Sequence, residues 1–156
     1  MVQRRGELKL VGIRRHYRLT QDLAAVMHAV ARQWKEFHAR EAALKHGAEY
    51  YGVCLKIEEG DAGFDYLCGV ADEGGPVVDF TAIKIPPLRY AVFWHPGATA
   101  SLPATYFAIF GRLLPEAGLL PADSSSGVPE FIERFDQRYD LATGAGGPEI
   151  LVPLKG

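Results

Sequence analysis

The same order of elements occurs twice along this chain. A strand-like segment leads into an amphipathic helical segment, and two further strand-like segments follow, once over about residues 7–72 and again over about 88–155. This duplication is the strongest constraint on the fold. A short sheet with one helix cannot cover its apolar surface alone, so two such units must lie side by side and share a core. The expected class is α+β: duplicated β-α-β-β units with pseudo-twofold symmetry, an antiparallel sheet, two helices and a central cleft along the seam. Such seams are common ligand sites. The repeat is one of pattern, since residue identity between the halves is negligible.

The first helical segment carries the clearest signal. Leu23, Val26, Met27, Val30, Trp34 and Phe37 recur at intervals of three and four and share one face. Thr20 is the expected N-cap, and Asp22 suits the first turn. Lys45, His46 and Gly47 supply a cationic end and a glycine stop, which predicts a helix over 21–45. Strands are expected at 7–17, 50–57 and 64–70, the last two joined by an acidic, glycine-bearing hairpin loop. In the second half, a strand over 77–85 ends at Pro86-Pro87 and a strong strand over 89–95 stops at Pro96-Gly97. The second helix begins near Ser101 and tolerates Pro103 in its first turn; Pro115 limits its regular part and Gly118 ends the region, and Leu102, Tyr106, Ile109, Phe110 and Leu113 form its apolar stripe. Ser124, Ser125 and Ser126 mark a polar loop. Alternation over 130–138 sets Phe131, Glu133 and Phe135 on one side and Ile132, Arg134 and Asp136 on the other. The last strand runs over 149–154.

Composition removes several function classes. The chain has 156 residues, 48% hydrophobic and 23% charged, which suits one globular domain able to bury about 68–70% of its unfolded surface. A net charge of −2 provides no standing basic field for nucleic acid, and Arg4, Arg5, Arg14 and Arg15 read as a solvated face. Cys54 and Cys68 are too few for a disulfide framework or a structural zinc site and read as buried packing residues. No run approaches the roughly 18 apolar residues that span a bilayer, and the first residues lack a signal-peptide pattern. The expectation is a cytoplasmic chain, 1–156, forming a single domain with no DNA-binding domain.

No phosphate loop, nucleophile elbow, HExxH, CxxC or EF-hand loop is present, so no cofactor or metal is expected. His16, His28, His38, His46 and His95 are scattered. Aromatic residues are more informative: Trp34, Tyr50, Tyr51, Phe93, Trp94, Tyr106 and Phe107 are candidates for lining a cleft, although core packing must account for most of them. Among the acids, Glu149 stands out because it opens the apolar run Glu149-Ile150-Leu151-Val152. A buried carboxylate among aromatics suits an organic cation, or a raised pKa and general acid–base work. From spacing alone, its place after Pro148 slightly favours an exposed strand start. Asp65 is similarly ambiguous, and Glu133 and Asp136 read as residues of a solvated hairpin.

The series of motifs resembles the GyrI-like family, also called the AraC-type effector-binding domain. The resemblance rests on Tyr51-Gly52-Val53, the run Phe64–Val70, Ile83-Lys84-Ile85-Pro86-Pro87 and the strand that follows, with His95 and Gly97 after it. It continues through Leu102-Pro103-Ala104-Thr105-Tyr106, Leu114-Pro115-Glu116-Ala117-Gly118, Pro129-Glu130-Phe131, Arg134-Phe135-Asp136 and the final strand to Lys155. The resemblance implies the duplicated fold and a cleft for bulky, flat, often cationic or apolar molecules, with aromatic walls and an acid in the last strand. It puts Glu149 at that acidic position and Tyr106 at the tyrosine of the second helix. Trp34, Tyr51 and Trp94 join the candidate ligand site on pattern alone.

Three functions compete. The leading one is a small-molecule effector-binding module, the sensing domain of an AraC-type transcription regulator or a stand-alone GyrI-like protein, with Glu149 as counter-charge. The second is a hydrolase of cyclopropane-containing reactive compounds, with Glu149 and Tyr106 as catalytic residues. The third is a gyrase-interacting protein. The expected partner is a small molecule, with a regulator or gyrase possible beside it; direct nucleic-acid binding and membrane association are not expected.

Overall fold

The computed structural model describes residues 1–18, 22–56, 63–75, 78–95, 97–123, 127–140 and 142–156. Its strands are β1 (Val2–Arg5), β2 (Leu8–Arg18), β3 (Tyr50–Lys56), β4 (Gly63–Ala71), β5 (Thr81–Ile85), β6 (Leu88–Trp94), β7 (Phe131–Phe135) and β8 (Glu149–Pro153). They form one antiparallel sheet in the order β1-β6-β8-β7-β3-β4-β2-β5. This order is symmetric about the β7–β3 pair. On one side lie β3, β4 and β2; on the other, β7, β8 and β6. The pseudo-twofold seam expected from the duplicated sequence therefore runs between β3 and β7.

The flanking strands are exchanged between the halves. β1 leads into β2 but pairs with β6, and β5 leads into β6 but pairs with β2. Arg5 and Leu8 are three residues apart, a span of about 10 Å at most, yet their strands lie near opposite ends of the sheet. The sheet must therefore curl. Its inner face holds a core of Leu10, Tyr51, Val53, Leu67, Ile85, Tyr90, Ile132 and Leu151, drawn from seven strands.

The outer face carries the helices. α1 (Leu23–Arg40) packs over β2 and β4, joining Phe37, Val30 and Trp34 to Val11, Ile13, Tyr66, Cys68 and Val70. α2 (Leu102–Ala108) and its continuation pack over β6 and β8, joining Leu102, Ile109 and Leu114 to Ala91, Ile150 and Val152. The strip of β3 and β7 lies between them. Gln33 locks α1 down: its buried amide donates to the carbonyls of Ile13 (2.8 Å) and Tyr66 (2.9 Å) and accepts from the Tyr17 hydroxyl (2.6 Å).

Several boundaries differ from the sequence reading. α1 is capped by Asp22, whose side chain accepts from the Ala25 N–H, and it yields at Glu41–Ala43 to a 3₁₀ turn. Thr20 and Gln21 lie outside the described residues, as do the hairpin residues 57–62 and Ser124, Ser125 and Ser126. The regular part of the second helix ends at Ala108, before Pro115, and Gly118 (φ 68°) follows the end of the helical region as expected. The helix widens to a π turn over Ile109–Leu113, and Pro115 then falls at the start of the stretch Leu114–Glu116, where a missing N–H is tolerated. β5 is shorter than expected, because Asp79 adopts the left-handed region (φ 67°) just before it. β7 ends at Phe135, since Asp136 turns the chain and accepts from the Arg138 N–H. No helix among the described residues is long and apolar enough to cross a membrane.

Candidate functional site

The strip between the helices is defined by strand alternation. Ile132 faces the inner core, so Phe131, Glu133 and Phe135 of β7 face the helices. Gly52 pairs directly with Glu133 across the seam. A Cβ at Gly52 would overlap both the Tyr66 hydroxyl and a Glu133 carboxylate oxygen, so only glycine leaves room for this acid to lie flat across the two halves.

Glu133 is 6% exposed. Its Oε1 accepts from the Tyr66 hydroxyl, contributed by β4 in the first half. Its Oε2 meets the Tyr106 hydroxyl, contributed by α2 in the second half. Trp34 on α1 donates its indole N–H to the Tyr66 oxygen at 3.0 Å, so the Tyr66 proton must point at Glu133. Among the described residues, no lysine or arginine forms an ion pair with this carboxyl. Burial raises the Glu133 pKa, and hydrogen bonds from Tyr106 and Tyr66 oppose that only in part. Both phenols are pushed well above their ordinary value, by burial first and then by the neighbouring carboxylate.

Aromatic rings surround the acid. Phe131 lies 4.6 Å from Tyr106, centroid to centroid, and Trp34 meets Phe135 edge-on at 5.5 Å. Phe110 leans on Phe131 at 6.4 Å, and Phe107 projects into solvent at 73% exposure. Cys54, one pleat along β3, is buried and its thiol is raised by burial, which leaves it protonated and inert. The arrangement is a buried, uncompensated acid with phenol donors and ring faces. It is suited to a flat or bulky cation.

The inner face of the same strands presents a contrasting arrangement. Trp94, Glu149, Arg134 and Tyr51 are successive register partners across β6, β8, β7 and β3, so they share that face. Glu149 is paired with Arg5 (3.0 Å) and Arg134 (3.4 Å). Arg134 also reaches Glu49 at 2.5 Å, and Tyr51 donates to Glu49 at 2.8 Å. Trp94 is covered by the Arg138 guanidinium, 3.7 Å above its ring.

The structure thus brings Tyr106 and Trp34 together at the seam. It places Glu149, Tyr51 and Trp94 on the opposite face, where both arginines already neutralise Glu149. Asp65 binds Arg14 and His16 at 2.8 Å each. The solvated-hairpin reading of Glu133 is corrected: the strand runs through the middle of the sheet and not along a hairpin edge, so its alternation buries the acid. Tyr66 and Gly52 belong to the motifs that carry the resemblance, which assigns them no place in the site. The available signal was Glu133 between two phenylalanines at strand spacing; the register that sets it beside Gly52 is non-local. Among the described residues, no group of histidine, cysteine or acidic side chains has metal-holding geometry.

Comparisons with known proteins agree with this architecture. The model of the GyrI-like small-molecule-binding domain matches residues 2–155. Over 115 residues the chain is 34% identical to the transcriptional regulator BrlR of Pseudomonas aeruginosa, covering 70% of this chain and 40% of that protein. The chain therefore spans less than half of that relative's length. Among solved structures, it is similar to SAV2435 bound to tetraphenylphosphonium, with TM-score 0.76 and 22% identity over 100% of this chain and 93% of that one. It is also similar to EcmrR in a DNA complex, with TM-score 0.65 and 15% identity over 99% of this chain and 56% of that one. With its fold, its seam and a family match over nearly its whole length, the chain belongs to the GyrI-like small-molecule-binding domains.

Proposed function

We propose that the seam binds bulky aromatic cations and that Glu133 is their counter-charge, with Trp34, Tyr66, Tyr106 and Phe131 as the walls. The observation that carries this reading is the buried Glu133 carboxyl, which among the described residues has two phenol partners and no cationic one. A carboxylate in such a place is costly without a positive partner, and an organic cation supplies one without needing a hydrogen-bond donor. The tetraphenylphosphonium held by a protein of the same fold supports the same ligand class. Ligand sensing for transcription is the role this reading favours, by analogy with the regulator relative, in a chain acting inside the cell.

The test is a melting screen against aromatic cations, neutral molecules of similar shape and cyclopropane-containing electrophiles, with mass spectrometry of each mixture. A ligand at one hundred times its Kd should stabilise by about 2.7 kcal/mol. Cations should shift the melt with their mass unchanged, and Glu133→Gln should remove most of that shift while sparing neutral binders. Equal loss for cations and neutral molecules would reject the counter-charge role. A changed compound mass would assign the site to hydrolysis instead.

A further inference from the structure

We propose that this site exchanges a proton for its cation: the empty seam holds Glu133 as the neutral acid, and an entering organic cation drives that proton into solvent. The inference rests on the reading of the seam as a cation site. Its basis is the set of partners that each carboxyl oxygen meets. The Tyr66 oxygen is committed as acceptor to the Trp34 indole N–H, so Tyr66 donates to Oε1, which is an acceptor only. Oε2 meets only the Tyr106 hydroxyl among the described residues, and a hydroxyl accepts as readily as it donates. The carboxyl can therefore carry a proton on Oε2 and donate it as a hydrogen bond to the Tyr106 oxygen without losing either contact. When it ionises, the O–H bond breaks, the electron pair stays on Oε2, Tyr106 turns to donate, and the proton leaves to buffer. One positive charge enters and one departs, so the buried site remains neutral in both states.

The groups around Glu133 leave it as the exchanging acid. Tyr66 from β4 and Tyr106 from α2 are phenols held neutral by burial. Cys54 from β3 is a buried thiol held neutral in the same way. Tyr139, beyond β7, is a phenol also raised by burial. Among the described residues, His95, at the end of β6, is the group whose positive charge would act on Glu133. Its Nε2 lies 2.9 Å from the Ala98 carbonyl and so must donate there, and its Nδ1 lies 2.6 Å from the Thr105 hydroxyl. Arg134 points to the other face.

The experiment is calorimetric titration of the whole chain with tetraphenylphosphonium in two buffers of different ionisation enthalpy, across a pH series. The difference in heat counts protons released. The expected result is release approaching one proton per cation at pH values below Glu133's raised pKa and falling towards zero above it, with Kd weakening up to about tenfold per pH unit on the acid side. Glu133→Gln should abolish the release, and triphenylphosphine oxide, which is neutral, should cause none. Tyr106→Phe removes a hydrogen bond that favours the charged form, so it should move the release to higher pH. His95→Gln should leave release in place. Binding without proton release across the series overturns this inference and leaves the cation reading standing. Release lost in His95→Gln but kept in Glu133→Gln also overturns it. Absence of binding at every pH removes both.

Discussion

Two neighbouring residues of one strand, Glu133 and Arg134, separate two kinds of electrostatics. On the helix side, Glu133 is buried and its partners among the described residues are hydroxyls. On the inner side, Arg134 joins Glu49, Glu149 and, through Glu149, Arg5 in a network where each charge is answered. On the proposed reading a ligand completes the first arrangement, whereas the second is balanced within the chain. Proteins retain a buried acid without a cation at a cost in stability, so that cost points to use, whereas a balanced network is accounted for by structure alone.

The largest effect should come from filling the space that makes the helix side possible. Gly52→Val pushes into the Tyr66 hydroxyl and the Glu133 carboxylate and should destabilise the fold by about 3 kcal/mol, with cation binding lost. Denaturant melts and a binding titration check both. On the inner side, Arg134→Met leaves Glu49 and part of Glu149 unanswered. It should cost about 1–2 kcal/mol in a denaturant melt while leaving cation affinity unchanged. Altered affinity there would mean the two faces are not independent.

Acid should act on the two faces in opposite directions. Burial raises Glu133, so its protonation stabilises the fold: that gain grows as pH falls through its raised value and is complete near the unfolded value of about 4.3. Glu49 is held low by the Arg134 hydrogen bond. Its contribution is complete above about pH 4.3 and is lost as pH falls through its folded value. Melting curves against pH should therefore be flatter above about pH 4.3 in Glu133→Gln than in the unaltered chain. A parallel pair of curves would contradict the raised acid. The smallest effect is expected for Trp34→Phe, which keeps a ring but loses the indole donor to Tyr66. It should cost about 1 kcal/mol and weaken cation binding a few-fold in the same titration.

Much of this was legible in the sequence, for reasons that are local. Helical spacing from Val26 to Phe37 and alternation from Phe131 to Asp136 reflect periods that neighbouring residues impose. The duplicated order of elements led to the symmetric sheet. What was not legible depends on partners distant in the chain. Glu149 looked exceptional because it opens an apolar strand, but Arg5, 144 positions earlier, and Arg134 on the adjacent strand neutralise it. Glu133 looked ordinary because the neighbouring Arg134 and Asp136 suggested a solvated edge. Its burial follows from the pairing of β7 with β3, which no local pattern encodes. The exchange of β1 and β5 between halves was likewise invisible, since a four-residue strand containing Arg4 and Arg5 has little hydrophobic pattern.

The central claim is that Glu133, and not Glu149, meets the ligand's charge. It is tested most directly by titrating tetraphenylphosphonium into the unaltered chain, Glu133→Gln and Glu149→Gln side by side. The account predicts a loss of affinity of about a hundredfold in Glu133→Gln, equal to about 2.7 kcal/mol, and a change within about twofold in Glu149→Gln. The reverse order, with affinity retained in Glu133→Gln and lost in Glu149→Gln, would contradict it and move the site to the inner face.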